Sequence, residues 1–107
     1  MKKGMIKVSV LYPNGDGNKF DMDYYLEKHV PMVSKLLGDT VKSVTVEQGL
    51  GGAEPGSPAA FLTMANMYFN TMDDFANSFG PNAGTIMGDL PNFTNTQPTV
   101  QISKVLM

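Results

Sequence analysis

The sequence predicts an α+β fold of the ferredoxin-like βαββαβ plan, a four-stranded antiparallel sheet with two helices on one face. Two observations carry the prediction. Three segments place apolar residues with the period of a half-buried strand, a fourth, residues 60–69, is apolar on both sides, and two others repeat apolar residues with the period of a helix. Clusters of glycine, proline and asparagine separate them in the order β-α-β-β-α-β. With 107 residues there is material for one core, so residues 1–107 are expected to form a single domain.

Each element follows from local chemistry. Residues 5–12 place Ile6, Val8, Val10 and Tyr12 on one side of a strand and Lys7 and Ser9 on the other, and a turn cluster from Pro13 to Asn18 ends it. In the helix that follows, Asp21 suits the N-cap, Asp23 suits the positive helix start, and Gly38 suits a left-handed C-cap. Val41 to Gln48 reads as the second strand with Val44 and Val46 inward, and Gly49 to Pro58 as a long hairpin loop. Residues 60–69 make the third strand. Thr71-Met72-Asp73-Asp74 opens the second helix as a capping-box-like pattern, with Met72, Phe75, Ala76 and Phe79 as its apolar stripe. Gly80-Pro81 breaks that helix, residues 82–88 add a short helical turn, and GDLPNFTNTQP is irregular. Thr99 to Leu106 is the last strand, with Val100 and Ile102 on one face.

Two helices cover one side of such a sheet, so the other side should be polar if the chain works alone. In the third strand Leu62, Met64 and Tyr68 point one way and Phe61, Met67 and Phe69 the other. Whichever set lies under the helices, three large apolar side chains remain on the bare side. Their burial is worth roughly 5 to 9 kcal/mol, comparable with the whole stability of a domain. Pairing two open faces in a homodimer recovers it. The two sheets would then enclose a space of the kind small organic ligands occupy.

The first helix carries the only histidine, two residues before a proline. At about 100° per residue, Leu26, Val30, Val33 and Leu37 form the stripe that faces the sheet. His29 falls roughly 70° from its centre, on the same flank as Met22, Tyr25, Met32 and Leu36. Tyr25 is its neighbour one turn earlier. Pro31 lacks an N–H and crowds the carbonyl of Glu27, so the helix must bend or restart there, which offers a way to aim the imidazole at the end of the sheet. A half-buried structural histidine beside a tolerated kink has the same spacing.

Composition narrows the chemistry. A net charge of −2, with no basic cluster beyond Lys2-Lys3, lacks the footprint of nucleic-acid binding. Without cysteine there is no disulfide, thiolate nucleophile or Cys-based metal site, which fits a reducing compartment. Lys7 interrupts the first apolar run, no cleavage site follows, and no stretch approaches the ~20 apolar residues of a membrane span, so a cytoplasmic protein is expected. Asn14, Asp16 and Asn18 hint at calcium-loop spacing, but Lys19 stands where glycine is needed. Gly49-Leu50-Gly51-Gly52 precedes a strand where a dinucleotide fingerprint needs a helix. One histidine makes no two-histidine metal site, and no cofactor is expected. What remains is acid–base chemistry by the imidazole, tuned by a carboxylate or a tyrosine hydroxyl. Asp89 can orient it if the segment after the second helix folds back; otherwise it caps a turn beside Gly88 and Pro91.

The pattern Phe20-Asp21, Tyr25-Leu26-Glu27-Lys28-His29-Val30-Pro31-Met32, with Gly88-Asp89-Leu90-Pro91-Asn92-Phe93-Thr94 before the last strand, resembles the EthD family. These small proteins, named for a component of ethyl tert-butyl ether degradation, belong to the dimeric α+β barrel superfamily. The resemblance implies a homodimer with a ligand cavity and an oxidoreductase-linked role in breaking down small organic compounds. It leaves a cyclase or isomerase, or a non-catalytic binding module, as alternatives. On this reading His29 is general base or acid, Tyr25 orients it and Asp89 tunes it. Tyr12, Tyr68, Phe93 and Met32 line the ligand site.

Overall fold

The computed structural model of the chain describes residues 2–107. Four strands, β1 (Ile6–Pro13), β2 (Val41–Gln48), β3 (Phe61–Phe69) and β4 (Thr99–Lys104), form one sheet in the order β2-β3-β1-β4. Every neighbouring pair is antiparallel. Helix α1 spans residues 22–37, and the second helical layer consists of α2 (Met72–Phe79) and α3 (Ala83–Gly88). This is the expected βαββαβ architecture. Among the described residues no helix is long and apolar enough to cross a membrane.

The caps act where the sequence places them. The Tyr24 N–H donates to Asp21 Oδ1 at 3.0 Å and the Asp74 N–H to Thr71 Oγ1 at 3.0 Å, each satisfying a donor that has no intrahelical partner. Gly38 ends α1 with φ of 63°, open to glycine because it has no Cβ.

Register sorts the strand residues onto two faces. Val8, Met67 and Phe69 meet Val33, Leu37 and Ile86 from the helices in one aliphatic cluster. A second cluster, toward the other end of the strands, joins Tyr12, Tyr25, Ala65, Leu90 and Phe93. Met64 lies on the open face, where the register sets it beside Leu11 and Glu47. Tyr68 is there too, beside Lys7 and Ser43. The middle of that face is polar. Ser9 Oγ donates to Asn66 Oδ1 at 2.8 Å, and Asn66 Nδ2 donates to Glu47 Oε1 at 2.9 Å. The bare side is therefore a mixed surface, less apolar than β3 alone suggests.

Apolar stripes on three elements are less buried than their periodicity suggests. In α2 only Phe75 and Phe79 pack against the core, while Met72 is 44% exposed and Ala76 lies in solvent. Val100 and Ile102 share the helix-covered face with Val10 and Val8, yet remain 50% and 44% exposed on the edge strand. In α1, Leu26 is 48% exposed, whereas Tyr25 and His29 are buried at 3% and 4%. The cause of this last reversal is a change of helical period at the site itself.

Candidate functional site

Pro31 has no N–H for the carbonyl of Glu27, so regular helix cannot run through this point. The chain answers with a π turn over Tyr25–His29, in which the Val30 N–H bonds to Tyr25 O, five residues back. Regular helix then resumes over Val30–Leu37 with Pro31 in its first turn, where a missing N–H costs little. The additional residue in the turn shifts everything upstream by about 100° relative to Val30, Val33 and Leu37. One turn below Val30 the inward side chain is consequently Tyr25, and Leu26 is turned to solvent. A wheel drawn with a constant 100° step misses this.

The second half of the chain delivers the partner of His29. After α3, the residues Leu90–Asn92 form a 3-10 turn, and the chain from there to Thr94 is tied to the start of α1. The Asp21 N–H donates to Phe93 O at 2.7 Å, and Thr94 Oγ1 donates to Lys19 O at 2.6 Å. This fold-back brings Asp89 to His29, with Nδ1 and Oδ2 at 2.9 Å. The carboxylate accepts a hydrogen bond from Nδ1–H and so fixes the tautomer. Two further donors meet its other oxygen, Tyr24 Oη at 2.8 Å and Asn92 Nδ2 at 2.8 Å.

Around the imidazole the packing is aromatic. Its ring stacks on Tyr25, with centroids 5.3 Å apart and planes at 21°, and lies 4.6 Å from Phe93. Tyr12 meets Tyr25 and Phe93 edge-on, both at 5.8 Å. Such faces favour a ring that becomes cationic.

A cavity of about 240 Å³ lies between the sheet and the helices of the single chain. Tyr12, Tyr25 and His29 form its hydrogen-bonding wall, Ser34 is a further polar wall residue, and the rest is apolar, including Val10, Met67 and Phe79. This cavity lies on the helix side of the sheet, the side opposite the open face on which a hollow between two copies is expected. The buried Val8, Val33 and Ile86 and the more exposed Val44, Met87 and Val100 all belong to the cavity wall.

Of the residues singled out by sequence, His29, Tyr25 and Tyr12 line this cavity and Asp89 stands behind His29. Phe93 covers the imidazole without forming the cavity wall. Tyr68 is on the opposite face of the sheet, where Lys7 Nζ lies 6.0 Å from its ring centroid, because its strand position has the parity of Met64. Met32 packs against the aliphatic cluster and stays outside the wall. Tyr24 and Asn92 were not singled out. Tyr24 stands next to the chosen tyrosine, and only the π turn and the fold-back together aim it at Asp89.

The electrostatics follow the contacts. Burial pushes the Asp89 carboxyl up, but hydrogen bonds from Asn92, His29 and Tyr24 outweigh it and hold the group below the usual carboxylate value. Asp89 remains an anion facing the imidazole. Burial pushes Tyr25 up to about 12, with the hydroxyl of Tyr12 offsetting part of the rise, and burial together with Tyr25 pushes Tyr12 higher still. Both phenols therefore stay neutral hydrogen-bond donors. Nε2 of His29 has no hydrogen-bond partner among the described residues, and the ring lines the cavity. Such a set can accept a proton from a bound molecule while stabilising charge beside it. Among the described residues no three histidine or carboxylate side chains gather to hold a metal ion.

The model of the EthD domain matches residues 18–97. An EthD-like protein of Ralstonia eutropha JMP134 is 39% identical, with 99% of this chain and 96% of that chain covered and a TM-score of 0.92. An ethyl tert-butyl ether (EthD) family protein of Bacillus halodurans C-125 is 20% identical over 95% of this chain and 99% of that one, at a TM-score of 0.71. A monooxygenase candidate of Shewanella loihica PV-4 shares the fold at 8% identity, covering 100% and 99%, with a TM-score of 0.62. No curated protein matches the chain.

Proposed function

The chain belongs to the EthD family, and on that premise we propose that it acts on a small, largely apolar organic compound by proton transfer at His29. The observation that carries this reading is the His29–Asp89 pair opening into an apolar cavity. A ligand in that cavity loses a proton to Nε2, Asp89 offsets the charge on the imidazolium, and Tyr12 or Tyr25 donates to the oxygen where negative charge develops. Proton removal leaves an electron-rich anion, the form from which either isomerisation or oxidation by a separate acceptor proceeds. The monooxygenase candidate with the same fold is in keeping with the oxidoreductase-linked role in small-molecule breakdown. The fold alone does not choose between the two.

Hydrogen–deuterium exchange into small enolisable ketones in D2O, followed by NMR, tests the chemistry without knowledge of the natural substrate. Exchange above the buffer rate is expected, falling by roughly 10²- to 10⁴-fold in His29→Ala. Equal exchange in the two proteins would sink the assignment.

The same reading includes a homodimer through the open sheet face, supported by Met64, which is 38% exposed there. Sedimentation at micromolar concentration should give a two-copy particle. A single-copy particle overturns the pairing and leaves the cavity, which belongs to one chain, intact.

A further inference from the structure

We infer that Tyr24 and Asn92 are positioning residues that clamp Asp89, so that His29 keeps its proton on Nδ1 and presents the lone pair of Nε2 to the cavity. This rests on the reading of His29 and Asp89 as the working pair. A carboxylate has two oxygens and about four acceptor sites, and it rotates unless each oxygen is held. Here Oδ2 takes the bond from His29 at 2.9 Å, while Oδ1 takes Tyr24 Oη and Asn92 Nδ2, both at 2.8 Å. Rotation would break all three bonds together.

Neither residue lines the cavity, so neither meets a bound molecule there. The Asn92 bond is local and also serves the 3-10 turn, whose Asn92 N–H bonds to Asp89 O at 3.0 Å. Tyr24 has no such local role toward Asp89. It reaches across 65 residues of sequence from the other βαβ half, and its ring already packs against Phe93, with centroids 6.3 Å apart and planes at 20°. The hydroxyl is therefore not needed to keep the ring in place. Its position is explained by the carboxylate it meets.

The clamp also defines what the cavity receives. A carboxylate with three donors is a poor proton acceptor, so the proton that reaches the imidazole stays on the ring. A ring locked with Nδ1–H offers the cavity an acceptor, which selects ligands that bring an acidic proton of their own. Isosteric molecules without that proton would leave Nε2 unpaired.

His29 is the only histidine in the chain, so one imidazole ¹⁵N signal pair reports on it without further assignment. In the full-length ¹⁵N-labelled protein, with the ring neutral, the Nδ1–H tautomer is expected to dominate. Tyr24→Phe and Asn92→Ala should each lower the ratio of Nδ1–H to Nε2–H by roughly three- to tenfold, the effect of losing one hydrogen bond, and the double variant by more. Tyr24→Phe keeps the ring that packs on Phe93 and so tests the hydroxyl with the fold intact. A ratio unmoved in Tyr24→Phe and in the double variant overturns the clamp while leaving the His29–Asp89 pair standing. A wild-type ring protonated on Nε2 removes the pair itself, and the proposed function with it.

Discussion

The helix after β1 and the helix after β3 each contain a proline near the middle, Pro31 and Pro81. At Pro31 the chain widens into a π turn and continues as one rod, residues 22–37. At Pro81 it tightens into a 3-10 turn, Gly80–Asn82, and splits into α2 and α3. Asn82 repairs the second break by donating to Ser78 O at 2.8 Å. The first break is repaired by changing the period of the helix, and that change turns Tyr25 and His29 inward while Leu26 moves out. A local backbone defect thus has two outcomes. One ends a helix, and the other re-aims side chains without ending it, which is what a site built on a rigid element requires.

Breaking the difference directly should give the largest effect. Inserting one alanine after Glu27 turns Tyr24 and Tyr25 by a further ~100° relative to Val30, which swings them off the inner face. Exchange activity should fall at least ~10²-fold. Deleting Gly80 from the other break should lower stability yet leave activity within a few fold. Similar losses in the two variants would show that the register set by the π turn has no special part in the site.

A smaller effect separates the halves by ionisation. The second helical layer holds no buried ionisable side chain, whereas α1 holds Tyr25. A phenol pushed up to about 12 keeps its proton in the folded protein after the unfolded chain has lost its own near 10. Stability should therefore fall as pH rises from 10 toward 12, by roughly 2–3 kcal/mol for Tyr25. Tyr12 adds to the fall, its pKa being raised as well. Urea unfolding across that range should show a shallower decline in Tyr25→Phe. An identical decline in the variant would mean that Tyr25 is not held neutral by burial.

The last comparison concerns one residue type at two places on α1. Leu37, 4% exposed, should cost about 2–5 kcal/mol on truncation to Ala. Leu26, assigned to the same stripe by regular periodicity, should cost under about 0.5 kcal/mol, because the π turn has put it in water. Equal costs would restore the regular wheel.

Much of the fold is legible in the sequence because its signals are local. Asp21, Thr71 and Gly38 act within one turn of themselves, and strand alternation reports which faces are half buried. Pro31 marked a defect but not its kind, since a kink, a restart and a π turn all relieve the same clash. Tyr68 shares the strand parity of Met64, which places it on the open face and away from the cavity on the helix side. Tyr24 carries no local signal of its contact, because its partner lies 65 residues away.

By itself the sequence determined the order of elements, the caps that start them and the presence of one titratable ring beside a helix defect. Each depends on residues within a few positions of one another, where steric and hydrogen-bonding rules suffice. Tertiary structure alone decided that Asp89 returns to that ring and that the space beside it opens between sheet and helices. Those outcomes depend on packing between distant segments, and a helical period that changes by one residue is settled by what its side chains meet.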